Sequence, residues 1–173
     1  MSLMHTTCYT AADVWQMLEK VMDPEVPVLS VVDLGIVRHV DISDGYGGQK
    51  VQVNITPTYS GCPAMDMIAA AIRLELNMAG FAEVKVVTQL APAWTTDWMS
   101  ESGKAKLKDY GIAPPLPLFS ACQEMQVNEQ QAIECPKCGS HHTRLVSQFG
   151  STPCKALYQC GDCSEPFDYF KCH

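Results

Sequence analysis

Hydrophobic and polar positions follow two rhythms along the first 111 residues. Val14, Met17, Leu18 and Val21 recur at helical spacing behind Thr10, whose hydroxyl can cap the first turn while Asp13 favours its positive end. The helix is expected to end at Met22, because Asp23 precedes Pro24 and a residue before proline is pushed out of the helical region. A loop over 24–34 and Gly35 lead into an apolar-rich run at 36–42. Asp44-Gly45-Tyr46-Gly47-Gly48 then signals a tight turn, and Val51, Val53 and Ile55 alternate beyond it, which predicts a β-hairpin. Met65, Ile68, Ala69, Ile72 and Leu76 share one helical face behind Pro63, with Gly80 placed to close that helix. Val84, Val86, Thr88 and Leu90 alternate again, so the order strand, helix, strand permits parallel pairing through a right-handed crossover. A third helix is expected over 101–110, between Ser100 as cap and Gly111 as stop.

The pattern changes at Ala113-Pro114-Pro115-Leu116-Pro117, where prolines cannot continue a helix and favour an extended spacer. The chain therefore reads as a first domain over 1–111, a linker over 112–133 and a cysteine-rich domain over 134–173. The fold class is α+β: a small mixed sheet with helices packed on it, followed by a zinc-ribbon-like β domain with strands expected at 143–149 and 155–159.

With 47% hydrophobic and 18% charged side chains, the 173 residues can form packed cores, which excludes general disorder. The net charge of −7 repels phosphate backbones and anionic membranes, so neither nucleic acid nor membrane is an expected partner. No run approaches the roughly 20 apolar residues of a membrane span, and the polar first residues do not read as a secretory signal. A cytoplasmic protein is expected. Nine cysteines, an odd number, cannot all pair internally, and in a reducing compartment they read as metal ligands or reactive thiols.

Six of the nine lie beyond residue 134. Cys135-Pro136-Lys137-Cys138 and Cys160-Gly161-Asp162-Cys163 are two knuckles separated by 21 residues, close to zinc-site spacing. Each brings two thiolates to one metal, and a domain with so little core would take much of its folding free energy from that metal. Zinc is preferred, with an iron-sulfur cluster as the alternative. Cys154 and Cys172 are left over, as spare packing thiols, exchanging ligands or extra metal ligands. His141, His142 and His173 are read as exposed. The charge over 134–173 balances to zero, which favours a docking or structural role over nucleic-acid binding, with Tyr158, Phe167, Tyr169 and Phe170 as aromatic surface.

In the first domain, Pro63 at a first helical position would make Cys62 the cap, where unpaired amides and the helix dipole lower a thiol pKa. Two readings stand: a reactive or metal-binding thiol, or a cysteine that merely packs. The turns Asp23-Pro24-Glu25 and Asp33-Leu34-Gly35 could be carried near Cys62 and support it, or simply form turns. No histidine lies in these motifs to serve as base, which argues against a cysteine hydrolase, and His39 reads as a strand surface residue. Trp94 and Trp98 read as anchors of the following helix rather than as a docking surface.

The segments Asp23-Pro24-Glu25-Val26-Pro27-Val28, Asp33-Leu34-Gly35, Pro57 through Pro63, Trp94 through Met99, and Phe149-Gly150-Ser151-Thr152 with Glu165-Pro166-Phe167-Asp168-Tyr169-Phe170-Lys171-Cys172 together resemble the PaaD (also called PaaJ) family of the bacterial phenylacetyl-CoA epoxidase system. The first domain is similar to the SufT-like iron-sulfur assembly family, in which the cysteine matching Cys62 is the reactive residue and the turn matching Asp23 to Glu25 accompanies it. The resemblance implies an accessory protein that assists maturation of the iron-sulfur or iron centre of the reductase or oxygenase. Cys62 would be the transient cluster ligand, supported by Asp23, Glu25 and Asp33, and Cys135, Cys138, Cys160 and Cys163 would hold structural zinc. The alternative is a non-catalytic structural subunit of the epoxidase complex. The chain has neither Glu-x-x-His pairs nor a nucleotide-binding glycine loop, so it is expected to be neither the oxygenase nor the reductase. The iron-sulfur reductase is the foremost expected partner, and a homodimer is compatible with the sequence.

Overall fold

The computed structural model describes residues 8–116 and 133–171. Cys122, Cys172 and His173 lie outside them, as does most of the linker.

Helix α1 (Ala11–Leu18) starts at a reciprocal capping box between Thr10 and Asp13 and buries Val14 and Leu18. It stops four residues before the expected Met22. Val21 turns away because its N–H bonds to Leu18 and its carbonyl accepts from Val31, closing the loop that holds the acidic turns. Strands β1 (Val37–Gly45) and β2 (Gly48–Ile55) form the expected hairpin, with Gly45 opposite Gly48. Helix α2 (Met65–Ala79) buries Ile68, Ala69, Ile72 and Leu76 and closes on left-handed Gly80. Strand β3 (Glu83–Thr88) then pairs parallel with β2, placing Val53 opposite Val86, so this sheet runs β1-β2-β3.

Helix α3 (Glu101–Tyr110) begins at Ser100, whose hydroxyl accepts from the Gly103 N–H, and ends at Gly111. Trp94 is the anchor foreseen from the sequence: it is buried, and its indole N–H donates to the Leu34 carbonyl at 2.9 Å. Trp98 packs flat against the Arg38 guanidinium, 3.5 Å from the ring centre.

Ile112 and Ala113, placed in the linker by the sequence, form strand β4 (Ile112–Ala113) of a second sheet. They pair parallel with β7 (Pro166–Phe170), which pairs antiparallel with β6 (Lys155–Cys160), itself antiparallel to β5 (Thr143–Ser147); the order is β4-β7-β6-β5. Pattern reading located β5 and β6 but not β7. It also took Phe167, Tyr169 and Phe170 for surface, whereas all three are buried. Phe167 and Tyr169 fill a small core with Ala113, Ile133, Ala156, Cys135 and Cys160. Phe170 and Cys154 instead join the large core of the first domain, whose members include Leu18, Leu29, Ile55 and Ile72. The two sheets thus meet along a shared apolar seam. Among the described residues no helix is long and apolar enough to cross a membrane.

Candidate metal and cluster-handling sites

The second sheet carries a four-sulfur site. The first knuckle is closed by the Gly139 N–H to the Cys135 carbonyl at 2.9 Å, with Gly139 at φ +74, a conformation that favours glycine. In the second knuckle the Cys163 N–H points at the Cys160 sulfur at 3.5 Å. The Sγ atoms of Cys135, Cys138, Cys160 and Cys163 all lie within 4.8 Å of one another. Cys135 and Cys163 are 3.8 Å apart, and Cys138 and Cys160 are 3.5 Å apart. A tetrahedron with zinc-sulfur bonds of about 2.3 Å has edges of about 3.8 Å, so the four thiols fit one zinc ion. They do not ionise as independent thiols. The Cys163 amide pulls Cys160 down to about 6, while Cys138, despite help from the Ser140 amide, is pushed up to about 12 by the neighbouring sulfurs and burial. A central cation resolves this by drawing charge onto all four. His142 is exposed and contacts Asp162 at 3.1 Å, the surface role expected of it.

The other sites lie at the seam. Cys62 is not the cap of α2; the cap is Ala64, and the segment before it folds as successive turns, with the Cys62 N–H bonded to the Tyr59 carbonyl and the Met65 N–H to the Cys62 carbonyl. The amides of Ala64 and Met65 still favour the thiolate, as expected of a helix start, but they lose. Burial raises the Cys62 thiol, and the charges of Glu25 and Asp23 raise it further. The expected lowering is therefore reversed, by burial and by the charge of an acidic turn that the sequence left free either to support the thiol or merely to shape the loop.

That turn is held by the Asp23 carboxylate, which accepts the N–H groups of Glu25 at 2.7 Å and Val26 at 2.8 Å. Asp23 is buried, and burial lifts its pKa although those two amides and Lys155 oppose the shift. The Glu25 side chain is left directed at the seam, 3.7 Å from the Cys154 sulfur. Asp33 is not part of this group. Its carboxylate takes the Ser100 hydroxyl at 2.7 Å and the Lys106 ammonium at 2.6 Å, fastening α3 to the loop before β1.

Cys154, expected as a spare or extra ligand in the cysteine-rich domain, stands apart from the four-sulfur site and is buried against the first domain. Burial pushes its thiol up to about 11, with the Thr152 hydroxyl opposing and Glu25 adding to the rise. Burial raises the pKa of the Tyr59 phenol, and the charges of Cys62, Glu25 and Cys154 add to the rise. Beside it, Thr56, Pro57, Thr58, Ser60, Leu90, Ala93 and Trp94 join Tyr59 around an open cavity of about 220 Å³. Sequence reasoning missed Cys154 as a neighbour of the acidic turn because no local pattern links positions 129 residues apart.

An α+β domain bearing a thiol beside an acidic turn, joined to a four-cysteine ribbon, defines a two-module class that recurs in known proteins. Residues 11–87 match a family described as iron-sulfur cluster assembly protein, and residues 120–171 match the PaaD zinc beta ribbon domain. A protein of Escherichia coli (strain K12), provisionally named as one of the subunits of 1,2-phenylacetyl-CoA epoxidase, is 48% identical over 160 residues, covering 92% of each chain. The Fe-S protein maturation auxiliary factor of Porphyromonas gingivalis is 38% identical over 100 residues, 57% of this chain and 90% of its own. A crystal structure of a domain of unknown function (DUF59) from Bacillus anthracis aligns with 56% of this chain and 89% of its own, at 28% identity and a TM-score of 0.48. The chain belongs to the PaaD family.

Proposed function

We infer that the protein is an accessory component of the phenylacetyl-CoA epoxidase system that assists maturation of the iron-sulfur or iron centre of its reductase or oxygenase. The observation that carries this reading is the half-buried Cys62 thiol set beside the Asp23 to Glu25 turn. The matches to an iron-sulfur cluster assembly family and to a maturation factor support it. Cys62 acts as the transient ligand of the cargo, and Asp23 and Glu25 supply negative charge that favours an incoming cation. Asp33 contributes through the fold, by anchoring α3. The ribbon quartet of Cys135, Cys138, Cys160 and Cys163 holds structural zinc, which fixes the knuckles and the strands between them; Cys172 is not needed to complete it. The protein itself does not carry out the epoxidation, and its direct partner is the iron-sulfur reductase.

The test is Cys62→Ala, expressed with the remaining epoxidase components, with cluster content of the reductase measured after anaerobic purification. Loss of cluster, with the variant's thermal stability unchanged, is the expected result. Full cluster content would leave the rival role of a structural component, which predicts stable copurification with the oxygenase and indifference to Cys62.

A further inference from the structure

Helix α2 is apolar on two opposite sides. Ile68, Ala69, Ile72 and Leu76 turn into the core, and at about 100° per residue the positions farthest from them are Met67, Ala70, Leu74 and Met78. All four are exposed, Met67 and Leu74 at 63% and Met78 at 77%. The outer side of a helix on a solvated surface carries polar and charged groups, so a row of three large apolar side chains there marks a face that another surface covers. The charges beside the row identify that surface. On one flank Glu75 is already met by Lys20, just past α1, at 3.5 Å. On the other flank stand Asp66 and Arg73, which are about two turns apart and so lie on one line along the helix. Among the described residues neither forms an ion pair within the chain. Ala70, the smallest residue of the row, lies midway between them, where two helices could approach closely.

We propose that this outer face of α2 binds a second copy of the chain, helix against helix and antiparallel, about a two-fold axis at Ala70. Such an axis reverses one helix relative to the other. It brings Asp66 of each copy to the level of Arg73 of the other, and Met67 to the level of Leu74, so one row of side chains supplies both halves of the contact. The pairing of charges selects the second copy over a foreign protein, since the face is complementary to its own image and needs no other partner to neutralise it. It also selects this face over the rest of the surface: each chain carries a net charge of −7, which opposes association, whereas Asp66 and Arg73 balance here. A single helix face covers less than the roughly 800 Å² per partner of a standard interface, so the dimer is weak and its population depends on concentration.

Sedimentation velocity of the full chain, kept reduced and run over about a hundredfold range of micromolar concentration, measures the association. The wild type should pass from monomer to dimer within that range. Leu74→Glu should weaken the dimer by about tenfold or more while leaving the melting temperature of dilute protein unchanged, because Leu74 is exposed in the monomer. Arg73→Glu and Asp66→Arg should each weaken it by about threefold to tenfold, since either change sets like charges together twice across the axis. The double reversal Asp66→Arg with Arg73→Glu should restore association to near the wild-type level, a recovery that a merely structural role of either residue would not produce. A wild type that stays monomeric throughout overturns the proposal, as does a dimer indifferent to Leu74→Glu. A double reversal no better than the single ones overturns the antiparallel pairing. If the wild type stays monomeric but copurifies with an epoxidase component, and Leu74→Glu loses that component, the face belongs to a foreign partner and the homodimer is wrong.

Discussion

The ring of Trp94 meets the ring of Phe170 at 6.2 Å between centroids, tilted by 59°. One ring comes from the segment before α3 and the other from the last strand of the ribbon sheet, and both are almost fully buried. The ribbon therefore completes the core of the first domain. Phe170→Ala is expected to cost about 3–5 kcal/mol, the usual range for emptying a buried phenylalanine site. Denaturant unfolding followed by tryptophan fluorescence checks the magnitude, and a loss below about 1 kcal/mol would mean that the seam contributes little.

Zinc removal should be felt on both sides of that seam. The ribbon has only a small apolar core, and two of its buried residues, Cys135 and Cys160, belong to the sulfur quartet. Without metal, β5 to β7 lose their anchor, and Cys154 and Phe170 leave the first domain with them. Purified protein should contain about one zinc per chain, and chelation should lower the melting temperature of the whole chain. A brown, iron-containing preparation would show the zinc assignment wrong.

The elements that pattern reading located are those whose signals are local. The hairpin follows from Asp44-Gly45-Tyr46-Gly47-Gly48, α2 from its apolar face, and the quartet from two knuckles that need no partner element to be recognised. Its misses come from contacts made elsewhere. The end of α1 is set by Val31 capturing Val21, and the buried face of β7 by two different cores. Cys62 shows both sides. Its place between strand and helix was readable, but its raised pKa depends on how deeply the loop sinks and on the charge of Glu25, which only the folded chain determines.

Gly35 is expected to tolerate no side chain. It sits at φ +67, and a β-carbon there would collide with the backbone carbonyl of Trp98. The left-handed conformation alone costs a non-glycine residue about 1–2 kcal/mol, and the rigid neighbour adds to it. Gly35→Ala should therefore lower stability by about 2–4 kcal/mol and disturb the Arg38–Trp98 contact. Urea melts and tryptophan emission check both; wild-type values for the two would show that the loop can give way.

Asp33 links acid sensitivity to the attachment of α3. Burial would raise its carboxyl, but the Lys106 ammonium, the Ser100 hydroxyl and the Ser30 amide outweigh burial and hold it below the ordinary value of 3.8. A carboxyl that is more acidic in the folded chain stabilises the fold above its unfolded pKa, and that stabilisation is lost as pH falls through the folded value. Asp33→Asn should therefore cost about 1–2 kcal/mol at pH 7, a modest figure because Lys106 is half exposed. The gap between variant and wild type should hold down to about pH 4 and narrow below it. Paired urea titrations at pH 7 and pH 3 measure this. A gap that stays constant across that interval would mean that hydrogen-bond geometry at Ser100, rather than the charge of Asp33, fastens the helix to its loop.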